Sequence, residues 1–236
     1  MPCQKSFFND KTLPLFSGKK EFAMALASDK TLIHQMVNAK INLENTTLVS
    51  GIKLILILFG SILLAVSAQY KVPLGPVPIT LQSMVVMLIA IVYGWKLGGT
   101  TIVAYWLEGI FVGGIFSFLP WFANGSGLAY FLGAPSAGFL WGFLPMVIVV
   151  GYLVNNLSWY KNIFTLVSAL LVGQLFLYFI GLAHAYLFVL PVVDWMVTPT
   201  EMLSIYLYPF IIGDILKTII AALITIYFTK SLRRHM

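Results

Sequence analysis

Hydrophobic residues run along this chain in long unbroken stretches rather than in alternation. From Gly51 onward there are six such runs, at about 52–68, 79–95, 100–115, 136–154, 162–190 and 204–228. Continuously apolar runs exclude β-barrel strands, whose apolar positions alternate, and predict helices that are hydrophobic all round. Several are shorter than the roughly 20 residues that cross a bilayer upright. The fifth is long enough to tilt or to extend past the membrane surface. The pattern predicts an all-α integral membrane protein, a six-transmembrane-helix bundle over 51–236.

Residues 1–50 form a different zone, with six lysines and four acids among dispersed phenylalanines. They predict a polar, basic N-terminal extension, disordered or amphipathic, with a short helix over Phe22 to Ile41 that Asp29 could cap. No apolar stretch followed by a small-residue cleavage site occurs there, so a secretory signal is not expected.

Composition sharpens the membrane assignment. The 236 residues are 60% hydrophobic and only 9% charged, with mean hydropathy +0.94. Soluble domains carry about 25% charged residues. The net charge of +6 would suit nucleic acid, but the basic residues fall between apolar runs and at the chain ends. Lys53, Lys96, Lys161, Lys230, Arg233 and Arg234 share one side of the predicted membrane. Lys71 alone takes the other, with Asp194 and Glu201. Six against one predicts that both termini are cytoplasmic. No nucleic acid is expected. A single cysteine, Cys3, excludes an internal disulfide, and His34, His184 and His235 have no ligand spacing, so neither metal nor cofactor is expected. His184, inside an apolar run, reads as a packed or hydrogen-bonded residue.

One stretch interrupts the apolar pattern: WFANGSGLAYFLGAPSAGFLWGF, from Trp121 to Phe143. Irregular backbone at membrane depth needs protein or water around it. Phe122, Asn124, Ser126, Tyr130 and Ser136 thus sit either in a solvated connector or at a pocket mouth. Glycines that admit close approach and aromatics that stack on a flat ligand favour the pocket. The orientation puts this loop and Gln69–Pro78 outside together.

Three charged residues fall deep inside runs. Asp214 and Lys217, in YPFIIGDILKTII, are three apart and share one helix face. Intramembrane charges are costly unless paired or facing a cavity, so the pair reads as a ligand-reading site or a structural lock. Glu108, in AYWLEGIFVGG, reads as lining a polar cavity, carrying a proton or, the preferred reading, hydrogen-bonding a neighbouring helix. Gln82 and Asn124 add neutral donors and acceptors near the outer mouth. Gly60, Ser61, Ala65 and Ala68 form a small-residue stripe, suited to a helix of this chain or to an external partner. No nucleophile elbow, metalloprotease, diphosphate or ATP-binding motif is present. An enzyme is not expected, and any energy comes from a partner or from the substrate gradient.

Read together, VPLGPVPITLQ (72–82), YGWKLGG (93–99), AYWLEGIFVGG (104–114), FANGSG (122–127), GAPSAGFLWGF (133–143) and PFIIGDILK (209–217) resemble the BioY family in order. These are the biotin-binding S components of energy-coupling factor (ECF) transporters. The resemblance covers about residues 52–230. It implies biotin uptake across the bacterial inner membrane through an outward-accessible site. It also implies a transmembrane (T) partner and two ATP-binding subunits, although some members are thought to act alone. By motif, Asp214, Lys217, Asn124 and Tyr130 are implied around biotin. Gln82 and the backbone at Gly127 complete the expected binding set, with Lys71 or water as further candidates for the ligand's carboxylate. Docking of the T subunit is expected through the Ser61/Ala65 face, where Ser61 replaces a family alanine. Ser136 and Ala137 stand where the family has threonine and glycine, and FVGGIFSFLPWFANG is longer than the family run. The rival expectations are an S component for another vitamin, and a membrane-embedded enzyme using Lys217 and Asp214 as base and orienter.

Overall fold

The computed structural model describes residues 46–73, 76–115, 120–189 and 198–235. Helix α1 is Thr46–Gln69. A short antiparallel ribbon follows, β1 (Lys71–Val72) against β2 (Ile79–Thr80), with Lys71 opposite Thr80. Then come α2 (Gln82–Ile115), α3 (Gly127–Gly133), α4 (Ala137–Gly151), α5 (Ile163–His184), α6 (Pro199–Tyr206) and α7 (Tyr208–His235). The predicted extension over 1–50, with its Phe22–Ile41 helix and Asp29 cap, lies outside the described residues up to residue 45. So does Asp194.

Five helical stretches are long and apolar enough to cross a membrane: Val49–Gln69, Gln82–Phe111, Ala137–Asn156, Ile163–Val189 and Tyr208–Ser231. The chain is a mostly helical, multi-pass membrane protein. The count differs from the six predicted runs because the second and third share α2. The sequence places a connector around Lys96, but helix resumes directly after Gly94. Gly94 adopts φ 73° and ψ −178°, a region essentially closed to residues with a Cβ. The chain folds back there. Gln82 Nε2, at the start of α2, donates to Tyr105 Oη at 2.7 Å, and the Cβ position of Gly98 lies 3.4 Å from Ile89 Cγ2. Residues 82–93 and 95–115 are therefore two antiparallel arms joined by one glycine. The end of α4 closes on this reversal: a Cβ on Gly151 would stand 2.5 Å from Trp95 N and 2.8 Å from the Gly94 carbonyl carbon.

Local chemistry sets the other boundaries. Asn162 caps α5, its side chain accepting from Phe164 N at 2.9 Å. A reciprocal capping box starts α6: Glu201 N donates to Thr198 Oγ1, and Thr198 N donates to Glu201 Oε2 at 2.8 Å. The bonds that Thr198 N and Thr198 Oγ1 donate to Glu201 Oε2 hold the Glu201 carboxyl below its ordinary pKa. Proline lacks an N–H and is favoured in a first turn, although Pro145 is accommodated inside α4. Pro209 therefore separates α6 from α7, which begins afresh at Tyr208.

Helix α4 sits between α2 and α5, while α1 packs mainly on α2. The small-residue stripe makes that contact. Ser61 and Ala68 are fully buried, and the Cβ position of Gly60 lies 2.7 Å from Thr101 Cγ2. Ser61 Oγ donates to Glu108 Oε1 at 2.8 Å, so Glu108 binds a neighbouring helix as its sequence context suggested. Ser61 and Ala65, where docking of a partner is expected, are buried within this chain, because small side chains let α1 close on its own α2. The outward side of α1 carries Leu54, Ile55, Phe59, Ile62 and Val66.

If the Gly94 reversal and its seat on Gly151 hold the arms together, Gly94→Ala and Gly151→Ala will each lower the thermal unfolding midpoint in detergent. Backbone strain of this kind costs about 1–3 kcal/mol. Gly51→Ala, with nothing within 4 Å of its Cβ position, will leave the midpoint unchanged.

Candidate functional site

The site begins with the two charges of α7. Three residues apart, Asp214 and Lys217 face the same way, and Lys217 Nζ donates to Asp214 Oδ1 at 2.9 Å. Both are buried, with 4% and 7% of their surface exposed. Removing two ions from water is expensive unless further hydrogen bonds complete their shells. The neighbouring helices supply them. Ser83 of α2 accepts from Lys217 Nζ at 3.1 Å and donates to Asp214 Oδ1 at 3.3 Å. Tyr178 of α5 donates to Asp214 Oδ2. Gln174 of α5 donates to the Asp214 carbonyl at 3.4 Å and to Thr218 Oγ1 at 3.2 Å.

A cavity opens on this cluster. Its wall carries Ser83, Tyr178, Asp214 and Lys217, with Thr80, Gln82, Tyr130 and Ser136. Phe139, Leu140, Phe143, Leu177 and Phe210 supply apolar surface. A mostly apolar hole with a few fixed polar groups suits a small organic molecule whose polar end is recognised and whose body is simply packed.

The irregular segment 120–126 borders the same cavity through Ala123. Phe122 is fully buried. It stacks on Tyr130, with centroids 5.7 Å apart and planes at 17°, and meets Tyr105 edge-on at 5.4 Å and 87°. Only a glycine fits beside it, since a Cβ on Gly109 would lie 2.2 Å from Phe122 Cζ. Tyr105 Oη donates to the Trp121 carbonyl at 3.2 Å, and Tyr130 Oη pairs with Ser136 Oγ at 2.9 Å. The end of α1 and the chain just after it strap this segment down. Gln69 Nε2 donates to the carbonyls of Pro120 at 2.7 Å and Phe122 at 3.3 Å. Lys71 Nζ donates to the Ala123 carbonyl and, at 2.8 Å, to Asn124 Oδ1.

Of the expected binding set, Asp214, Lys217, Gln82 and Tyr130 come together in the wall. Gln82 turns its amide nitrogen to Tyr105. Asn124 and Gly127 are not brought there. Asn124 is exposed, its side-chain oxygen held by Lys71. Gly127 is buried at the start of α3 with φ 87°. Sequence reasoning missed Ser83, Gln174 and Tyr178. The available signal was a lone carboxamide and a lone phenol inside apolar LLVGQLFLYFIG, each needing a buried partner. His184 is packed as expected, its Nε2 3.1 Å from the Leu132 carbonyl and its ring edge-on to Trp141.

Comparison with known proteins gives the relatives of this chain. The BioY family profile matches residues 39–234. A biotin transporter BioY from Thermotoga maritima is 32% identical over 171 residues, 71% of this chain and 90% of that one. Biotin transporter BioY2 from Lactococcus lactis subsp. cremoris is 31% identical over 191 residues, covering 80% of this chain and 95% of that one. Among solved structures, the S-component for biotin from an ECF-type ABC transporter matches with TM-score 0.64 at 25% identity, covering 80% of this chain and 95% of that one. With most of its length matched by the family profile and by relatives of nearly full length, this chain belongs to the BioY family.

Proposed function

We propose that this chain is the biotin-binding S component of an ECF-type transporter in the bacterial cytoplasmic membrane. The observation that carries the reading is the buried Asp214–Lys217 pair at the wall of a largely apolar cavity, in a chain similar to biotin transporters. Biotin's ureido ring offers two N–H donors and a carbonyl acceptor. Asp214 accepts from the first, and Lys217, steadied by Ser83, donates to the second. The thiophane ring and valeryl chain pack on Tyr130, Phe139 and Phe143, where apolar burial contributes about 25 cal/mol per Å². Asn124 reaches the ligand by turning in from the rim, and the Gly127 backbone contributes at the mouth. In the coupled case a T subunit and two ATP-binding subunits drive the bundle inward.

Counting the two arms of α2 as separate spans gives six and puts both termini on one side. The lysine distribution makes that side the cytoplasm. The cavity mouth, bordered by 69–80 and 120–126, then faces outward. The arm over 82–93 is short for a full crossing, but it is covered by protein on most sides, which the bilayer permits.

Three measurements test this reading. Purified protein in detergent, without partners, is expected to bind biotin saturably by calorimetry; a folded sample that binds none sinks the biotin assignment. Asp214→Asn and Lys217→Met should each reduce affinity at least about a hundredfold, because the remaining charge is left buried and unpaired at a cost of about 3–5 kcal/mol. Wild-type affinity in both variants would remove the pair from the site. Topology reporters at Val77 and Gly125 are expected outside and one at Lys161 inside. Val77 and Gly125 on opposite sides would mean that α2 crosses once.

A further inference from the structure

We infer that Lys71 is the cation that receives the carboxylate of the ligand at the cavity mouth. This rests on the biotin reading above and adds a specificity residue to it. Paired residues of an antiparallel ribbon project their side chains to the same face. Lys71 pairs with Thr80, and Thr80 is part of the cavity wall. The ammonium itself ends on the carbonyl of Ala123, a second wall residue, and on Asn124 Oδ1 at 2.8 Å. It therefore stands at the rim, where the ribbon meets segment 120–126.

The charge count points the same way. The buried pair, Asp214 with Lys217, is neutral as a unit, so a carboxylate entering the cavity finds no net attraction there. Both partners of Lys71 are neutral oxygens, and an ammonium has three N–H donors. Among the described residues, the ion pair is that of Lys217 with Asp214, and Lys71 has no carboxylate of its own. A third N–H and an uncompensated charge are thus available at the mouth. A ligand with its ureido ring on the buried pair presents its carboxylate last, to a rim where water still solvates it. There the carboxylate loses little hydration and gains a charge-assisted hydrogen bond. Lys71 then acts as a filter. It favours a free acid over an otherwise identical neutral head, and it attracts the anion during approach.

Lys71 also straps the loop, so the test has to separate charge recognition from loop support. Competition against radiolabelled biotin, in purified full-length protein, compares unlabelled biotin with biotin amide, which keeps the rings and chain but lacks the charge. Wild type should prefer the acid by about tenfold or more, the scale of one hydrogen bond to a charged group. Lys71→Met should lose most of that preference by weakening biotin while leaving biotin amide unchanged, the amide also reporting that the variant is folded. Lys71→Arg should restore the preference. Equal losses for acid and amide in Lys71→Met would assign Lys71 to loop support alone and overturn the inference. So would a wild type that binds both equally. Wild type that binds neither overturns the biotin reading itself.

Discussion

A carboxylate and an ammonium among apolar helices must be solvated by the chain itself, because lipid cannot do it. The arrangement around Asp214 and Lys217 answers that constraint. Ser83 bridges the two charges from α2, Tyr178 covers the second carboxylate oxygen from α5, and Gln174 ties the backbone beneath them. Two helices distant in sequence, α2 and α5, are thus required to converge on one turn of α7. Apolar packing in a bilayer has little directional preference, since lipid tails are as apolar as leucine side chains. Polar bonds of this kind decide which face of each helix points inward.

The mouth of the cavity is built on a different principle. There the backbone leaves helical geometry, and its exposed carbonyls need donors. Gln69 and Lys71 supply them to 120–124, while the Phe122–Tyr130–Tyr105 cluster gives the segment an apolar root. Polar straps above and a ring stack below keep irregular chain in register with the helices. Gly109 matters because it clears room for the Phe122 ring, and so lets the loop sink onto the bundle.

Much of this was legible in the sequence, for definable reasons. A charge inside an apolar run is conspicuous, so Asp214 and Lys217 announced themselves. Gln82 and Tyr130 followed from lying beside irregular, glycine-rich chain. Ser83, Gln174 and Tyr178 did not, because neutral polar residues are ordinary in membrane helices. Runs that are hydrophobic on all sides also carry no periodicity to say which residue faces inward. The reversal at Gly94 was hidden by its neighbours, since Lys96, Gly98 and Gly99 read as a connector when they are helical. The stripe at Ser61 showed that some helix comes close but not which one; spacing specifies closeness, and only the folded chain names the partner. Asn124 lies in the irregular segment, but its side chain is held at the rim by a lysine on a separate loop.

The wall of the cavity has a mechanical consequence. The polar cluster around its charges comes from α2, α5 and α7, with none of the three contributing a complete set. The affinity of the site is therefore a readout of how these helices lean on one another. By thermodynamic reciprocity the dependence runs both ways. Whatever binds across these three helices favours the arrangement that suits it, and a change in that arrangement alters its affinity in turn.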